Sequence, residues 1–368
     1  MIKVSIIKKS SYTNIDKPVK KAVALAGGLD IISSDRVLIK PNLMRATKPE
    51  DGITTHPEIV RAIMHLVKTK TDNISVGDGS GSKDLKQTEK ALKTTGIKDA
   101  AKDIAKVVNF DREFQKVKIP NKTIKEILIT KEISKHNYLI TVPKMKTHCL
   151  TGITGATKNL YGCLYRTQKK AVHAKTPDIN DFCNFLLDLY LLAKPKFALM
   201  DGITAMEGDG PSAGELKKAN IILASKDALA LDYICAKIMD FNAEKLPFFK
   251  IAIKRGLLNP EEIEIRGMPI NAVRQKFKPP KQDLNSSTKI PAFIKKIYQR
   301  KLAVHKEICI KCGVCKKQCP VGAIELKPYP VFDTKKCIRC LCCHELCPKK
   351  AIYLKENLFF KIFKKLRL

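Results

Sequence analysis

The chain contains no tryptophan, and aromatic residues make up only 6% of its 368 positions. Platforms on which bases stack, built from interleaved aromatic and basic side chains, are poorly supplied, which makes nucleic acid an unlikely partner class. Acidic residues are also scarce: Lys and Arg outnumber Asp and Glu by 69 to 36. A field of that sign favours anionic partners, although the lysines are spread along the chain as a merely solvated surface would also have them. Long apolar runs are missing too. The best candidate, "FLLDLYLLAKPKFALM", is interrupted by Asp188, Lys194 and Pro195, and the N-terminus shows no apolar stretch leading to a small-residue cleavage site. These absences point to a cytoplasmic chain, in which thiols stay reduced and 13 cysteines serve metal rather than disulfides.

What is present is a cysteine array. Nine of the cysteines fall between 309 and 347, in two segments that repeat at an offset of 28: "CIKCGVCKKQCPVGAIELK" (309–327) and "CIRCLCCHELCPKKAIYLK" (337–355). Each contains C-x2-C-x2-C-x3-C-P, the spacing of bacterial two-cluster ferredoxins, in which the fourth cysteine of each run serves the other cluster. Zinc ribbons lack the third evenly spaced cysteine and the trailing C-P. The spacing therefore assigns Cys309, Cys312, Cys315 and Cys347 to one [4Fe–4S] cluster, and Cys337, Cys340, Cys343 and Cys319 to a second. The second run holds a fifth cysteine, Cys342, which the repeat lays on Val314. That reads as an apolar packing position, with a spare ligand or redox thiol as the alternative. Such a module carries electrons one at a time. From Lys289 to Leu368, 20 Lys and Arg face five Asp and Glu, so an acidic electron carrier such as a ferredoxin is the partner expected to dock.

Residues 276–292 are rich in Pro, Ser and Lys and read as a linker. Apolar residues then recur at helical spacing from Phe293 to Leu302, and again in the tail at Leu358, Phe359, Ile362, Phe363 and Leu366. Basic amphipathic segments of this kind suit a membrane surface or, as the favoured reading, fold back to cover the small module. The expected organisation is an α/β domain over 1–275, a basic linker and helix over 276–300, a ferredoxin-like domain over 301–355 and a basic tail over 356–368.

In the first 275 residues, short β-rich runs such as "KVSII", "RVLIKPN", "NISVGDGSGS", "HNYLITVPKMKTH", "KFALMDGI", "ANIILAS" and "EIEIRG" alternate with helical stretches. That alternation predicts an α/β domain around a largely parallel sheet, whose ligands gather at the carboxyl ends of strands. The residues just after the strands are unusually polar: Lys40 and Asn42; Gly77, Asp78, Gly79, Ser80 and Gly81; Lys144, Lys146 and His148; Lys158 and Asn159; Asp201, Glu207 and Asp209. "GDGSGS" is not G-x-G-x-x-G opening a long helix, so a dinucleotide site is poorly supported. Four lysines with a glycine loop resemble a cradle for an anionic group. Here Lys40, Asn42, Gly77, Asp78, Gly79, Lys158 and Asn159 would bind a small-molecule cofactor or substrate of unknown identity. His148, Lys144, Lys146, Asp201 and Asp209 would be catalytic; loop capping by the acids and a structural role for the histidine are the alternatives. Cys149, Cys163, Cys183 and Cys235 lack ligand spacing and read as core.

"VLIKPNLM", "VGDGSGS", "VPKMKTHCLTGITGATKNLYG", "DGITAMEGDGP" and "ASKDALALD", in that order, resemble the prokaryotic family called domain of unknown function 362. Members of that family often carry a C-terminal two-cluster module. The resemblance implies an iron–sulfur redox protein of an anaerobe and brings no reaction with it. The sequence thus leaves two readings: a ferredoxin-linked reductase acting on an anionic substrate, or an electron-relay or docking subunit of a larger oxidoreductase complex with no active site of its own.

Overall fold

A computed structural model describes residues 1–80, 85–281 and 301–355. The stretch from 282 to 300, the tail from 356 and Gly81 lie outside the described residues, and with them most of the expected linker and both amphipathic segments. Twelve strands belong to the first domain: β1 (Ile2–Lys8), β2 (Val37–Pro41), β3 (Ile74–Asp78), β4 (Lys106–Asn109), β5 (Phe114–Lys118), β6 (Glu126–Thr130), β7 (Tyr138–Val142), β8 (Lys144–His148), β9 (Gly152–Ile153), β10 (Phe197–Glu207), β11 (Glu215–Ser225) and β12 (Ile263–Gly267). The main sheet runs β12-β1-β11-β10-β7-β2-β3-β4, with β8 and β9 branching from β10.

The pairs from β10 through β7, β2 and β3 to β4 are parallel, whereas β11 is antiparallel to both its neighbours. "KFALMDGI" and "ANIILAS" therefore belong to one long antiparallel ladder, β10–β11. "HNYLITVPKMKTH" is two strands rather than one. Proline has no N–H to give a central ladder, and the chain breaks at Pro143, so that β8 pairs with β10 and β9 instead of continuing β7.

Alternation sends Leu38 to one face of the sheet and Val37 and Ile39 to the other. Helices Ile179–Ala193, Ala228–Ile238 and Pro247–Lys254 cover the first face; Asp16–Leu25, Pro57–Lys68 and Leu85–Thr94 cover the second. Close approach is enforced at Gly77, where a Cβ would lie 1.9 Å from the Val108 carbonyl oxygen. Among the described residues, no helix is long and apolar enough to cross a membrane.

The cysteine-rich domain follows the sequence repeat closely. Strands β13 (Lys301–Val304) and β16 (Ile352–Lys355) pair, as do β14 (Ile324–Leu326) and β15 (Pro330–Phe332), and each cysteine run contains one short helix, Val314–Gln318 or Cys342–Glu345. Left-handed backbone recurs at the repeat offset: Lys311 and Arg339, Gly313 and Leu341, Gly322 and Lys350. Non-glycine residues with positive φ are uncommon. Finding them in matched places shows that the two loops follow the same backbone course.

This domain sits on the carboxyl edge of the sheet. Arg45 donates to the Cys347 carbonyl at 2.8 Å, the Ser212 hydroxyl donates to the Glu345 carbonyl at 2.6 Å, and Lys170 donates to the Lys317 carbonyl. Cys149 of the first domain packs with Leu302, Leu341 and Leu354 of the second.

One element that shapes this edge is the short helix Gly155–Asn159. Its first N–H groups, those of Ala156 and Thr157, donate to the buried Asp232 carboxylate at 2.5 and 2.9 Å. Gly155 is required there, because it has φ +66° and a Cβ would meet that carboxylate at 2.5 Å. Replacing Asp232→Ala leaves two buried donors without their acceptor and should cost ~2 kcal/mol of unfolding free energy, with Asp232→Asn costing less, as denaturant titration would show.

Candidate functional site

The carboxyl edge begins with a buried ion pair. Lys40 Nζ lies 2.8 Å from Asp78 Oδ1, and both side chains are almost fully buried. Asp78 Oδ2 accepts the Leu43 N–H at 3.0 Å, and Asp78 Oδ1 accepts the Gly79 N–H at 2.8 Å. Asn159 accepts from Lys40 Nζ at 3.3 Å and donates to the Lys40 carbonyl and the Thr141 hydroxyl. Lys40, Asp78 and Asn159 thus form one satisfied network tying β2, β3 and the Gly155–Asn159 helix together. Gly162 presses against it: a Cβ there would lie 2.2 Å from Asp78 Oδ1 and 2.6 Å from Lys40 Nζ.

Strand β8 places Lys144, Lys146 and His148 on one side at alternate positions, all buried. Their surroundings differ. Lys144 Nζ is 2.8 Å from Asp201 and donates to the Tyr12 hydroxyl at 2.9 Å; that hydroxyl donates to Asp201 at 3.0 Å, and the His56 N–H adds another bond to the same carboxylate. The Lys144–Asp201 pair is complete in itself. Asp209 accepts the Lys281 N–H and lies 3.0 Å from Lys281 Nζ, and Glu207 is held by Lys217. Each of the three acids is matched by its own lysine, so Asp201, Glu207 and Asp209 do not gather into a metal site.

Lys146 is different. Its Nζ donates only to neutral oxygens, Asn42 Oδ1 at 2.8 Å and the Ile53 carbonyl at 2.7 Å, and burial pushes its pKa well below the usual lysine value. Lys158, one turn into the short helix, has no hydrogen bond or ion pair among the described residues and lies over the Tyr161 ring at 5.5 Å. Its pKa is lowered by burial, against the pull of Glu345. His148 Nδ1 accepts the N–H groups of Leu150 and Thr151, which leaves the proton on Nε2, 3.1 Å from Glu345 Oε1 across the domain interface. The two atoms face each other out of line for a hydrogen bond. Burial pushes His148 down to about 4, while Glu345, drawn down mainly by His148 and Lys158 against its own burial, reaches about 2. Near neutrality the pair is a neutral imidazole beside a carboxylate.

Between the two domains lies a cavity of about 850 Å³ out to its mouth. The α/β side contributes Asn42, Lys146, Lys158, Asn159, Lys169 and Tyr161, with Asp78 and Gly79 at one end. Cys342, Glu345 and Gln318 form the opposite wall, so this wall consists of chain neighbours of Cys343 and Cys319. Of the residues expected from the sequence, Lys40, Asn42, Asp78, Gly79, Lys146, Lys158 and Asn159 line the cavity or hold its lining. Gly77 is a sheet-packing position, and Lys144, Asp201, Asp209 and His148 are committed to contacts of their own. Sequence reasoning missed Lys169, Tyr161, His173, Gln318 and Glu345. One signal was visible: the 28-residue repeat sets His344 and Glu345 against Lys316 and Lys317, a local reversal of charge where the second run turns toward its neighbour domain.

The cysteines fall into two groups, one lining a space and one whose members lie within reach of one another. A cavity of about 350 Å³ is lined by Cys309, Cys312, Cys315 and Cys347 together with Ile310, Lys311, Gly313 and Ala351. Cys337 lies within electrostatic reach of Cys340 and Cys319, and Cys343 of all three. Backbone N–H groups donate to sulfur at matched places, Ala323 to Cys319 and Ala351 to Cys347, each at 3.2 Å. Soft sulfur donors, N–H groups turned onto them and loops wound in left-handed steps fit an iron–sulfur cluster at each group. Cys342 is buried, as expected of a packing position, and also faces the interdomain cavity.

The buried histidines set a pH limit on this edge. His173, stacked on Phe182, is pushed down to about 4 by burial, as His148 is. Unfolded histidine binds its proton near about 6.5, so the unfolded state holds more protons as pH falls from there toward 4. Stability is intact above that window and should fall within it by up to about 1.4 kcal/mol per pH unit for each histidine. Anaerobic denaturant titrations at pH 7 and 5.5 would measure this, and His173→Phe, which keeps the ring stack, should flatten the profile.

A family model described as a domain of unknown function (DUF362) matches residues 37–237, and one for a 4Fe-4S dicluster domain matches residues 308–354. A thylakoid-associated protein of Synechocystis sp. is 27% identical over 279 residues, covering 71% of this chain and 82% of its own length. Two solved structures align at low identity. The lactate racemase apoprotein of Thermoanaerobacterium thermosaccharolyticum has 16% identity, a TM-score of 0.43 and 66% of this chain covered, and a Thermotoga maritima protein has 11%, 0.42 and 64%. The chain spans 57% and 61% of their lengths. With its α/β domain matched over more than half of the chain, the protein belongs to the DUF362 family and carries a C-terminal 4Fe-4S dicluster domain.

Proposed function

We propose that this iron–sulfur protein is an oxidoreductase whose interdomain cavity takes an anionic substrate or cofactor. Cys309, Cys312, Cys315 and Cys347 would hold one cluster, and Cys337, Cys340, Cys343 and Cys319 the other. When bound, the clusters supply one-electron transfer. The observation that carries the reading is the composition of the cavity: lysines on the α/β wall, and chain neighbours of two cluster cysteines on the wall opposite.

The lining also indicates what fits. Lys158 has no hydrogen bond or ion pair among the described residues, and Asn42 and Lys146 line the same cavity, so one end of the ligand is a carboxylate or phosphate. Three buried oxygens on lining residues lack hydrogen-bond partners: Thr154 Oγ1, Gln318 Oε1 and Glu345 Oε1. Buried polar groups are normally satisfied. A ligand with N–H or O–H donors at its other end would satisfy Gln318 and Glu345 on the cluster side, with Thr154 on the wall opposite. Seating of the second domain brings Glu345 to 3.1 Å from His148 and keeps bulk water from the lysines.

Protein purified without oxygen should contain about eight irons per chain. On denaturation it should release a carboxylated or phosphorylated molecule detectable by mass spectrometry. Lys158→Ala removes no hydrogen bond of the fold, and should lose that molecule while keeping its iron. If wild type and variant release the same molecules, or if neither releases any, the cavity is not a substrate site, and the relay or docking subunit becomes the better account.

A further inference from the structure

The two halves of the cysteine domain differ in what they face. The second half turns Cys342 and Glu345 inward to the interdomain cavity, whereas the first reaches it through Gln318 and leaves its leading loop open to solvent. Cys312 is exposed, and so are Ile308, Ile310 and Val331, at 44%, 56% and 51%. These three are among only seven large hydrophobic residues exposed over all the described residues. Exposed apolar side chains set close together beside a functional group mark an interaction surface. Here Ile310 lines the Cys309/Cys312/Cys315/Cys347 space, Ile308 adjoins Cys309 and Val331 adjoins Pro330, which also lines it, and the rim includes Lys311, Pro348 and Lys349.

The rim is cationic. From 301 to 355 there are twelve Lys and Arg against four Asp and Glu. Two of those acids are already occupied locally, Glu307 with His305 and Glu325 with Lys327, and Glu345 is turned away from this face. Lys311 and Lys306 both lie over the Tyr329 ring, at 4.8 and 5.7 Å, which gathers their charge next to Val331. An apolar centre inside a basic rim matches a protein partner with an apolar contact inside an acidic rim. The chain's own tail, 356–368, carries four Lys and Arg and one Glu, and like charge makes it a poor occupant.

We infer that the face formed by Ile308, Ile310, Lys311, Val331 and Lys349 is the docking surface for an acidic one-electron carrier protein. At this face the reduced carrier gives up one electron, which is taken up at the Cys309/Cys312/Cys315/Cys347 site, and the carrier leaves oxidised by one. Electrons then enter on the half that faces solvent and are used on the half that faces the cavity.

The test uses the full-length, cluster-loaded protein and an acidic ferredoxin as probe. Two readings are taken: equilibrium binding, and the rate of bleaching on mixing with the reduced ferredoxin. The double variant Lys311→Glu and Lys349→Glu should weaken binding and slow bleaching roughly tenfold or more. Bleaching by dithionite, a small reductant needing no docking face, reports any direct effect of the two substitutions on the cluster site, and the slowing with ferredoxin should exceed it. Raising ionic strength from about 0.01 to about 0.15 M should weaken the wild type in the same direction. The control pair Lys90→Glu and Lys93→Glu, on the helix Leu85–Thr94, should behave as wild type. The inference is overturned if the double variant binds like wild type, if the control pair weakens binding equally, or if deleting 356–368 is needed before any ferredoxin binds. None of these readings requires a ligand in the interdomain cavity, so they stand or fall apart from the proposed substrate site.

Discussion

Lysine is hard to bury, and this chain buries three of them, Lys40, Lys144 and Lys146, along one sheet edge at 0–1% exposure. An ammonium group moved out of water loses several kcal/mol of solvation unless charge or oxygen replaces it. Lys40 and Lys144 each receive an aspartate. Lys146 receives only an amide oxygen and a carbonyl. The difference decides where the chemistry can be. The two paired lysines are structural ties across β2, β3, β8 and β10, and breaking either tie would leave a buried carboxylate without its cation, at a cost of about 3–5 kcal/mol. Lys146, with Lys158 beside the same space, is left with an unanswered tendency to hold a proton, which a bound anion would restore.

The second domain depends on this edge and also completes it. Glu345 supplies the nearest carboxylate to Lys158, His148 and His173, three groups that belong to the other domain. Without the cysteine module seated, the lysine edge would face water and the cavity would have only one wall. Without the edge, the Cys342–Glu345 helix would expose a buried acid and a buried thiol. Each domain therefore buries polar groups that have their counterparts in the other, and separating the two would leave those counterparts unmatched.

Much of this was legible in the sequence, and the rest was not for definite reasons. The spacing of eight cysteines shows in the chain because cluster ligation is a local pattern repeated twice. Lys40, Asn42, Asp78, Lys158 and Asn159 could be picked out because a parallel sheet brings its strand ends to one edge. What could not be read was which lysine meets an acid. Lys144 and Lys146 stand two residues apart on β8. Lys144 stands in register with Asp201, and the β8–β10 register then shifts so that Lys146 stands against Met206, an irregularity with no sequence mark of its own. Lys169, Gln318 and Glu345 come together across the interface from segments roughly 150 residues apart, and only the charge reversal at His344 and Glu345 hinted that one half of the repeat is turned inward.

That asymmetry explains why a duplicated module is useful here. A symmetrical two-cluster domain has no inside and no outside. In this chain the backbone keeps the symmetry, with left-handed residues at matched positions in both loops, while the side chains break it. Val314 becomes Cys342, Lys316 becomes His344 and Lys317 becomes Glu345. Each change exchanges a residue suited to solvent or bland packing for one that can hydrogen-bond to the α/β domain or line the cavity. The first half keeps its lysines and its exposed isoleucines. One scaffold thus presents two chemically different faces, and the difference follows from which residues vary at the equivalent positions, not from how the cysteines are spaced.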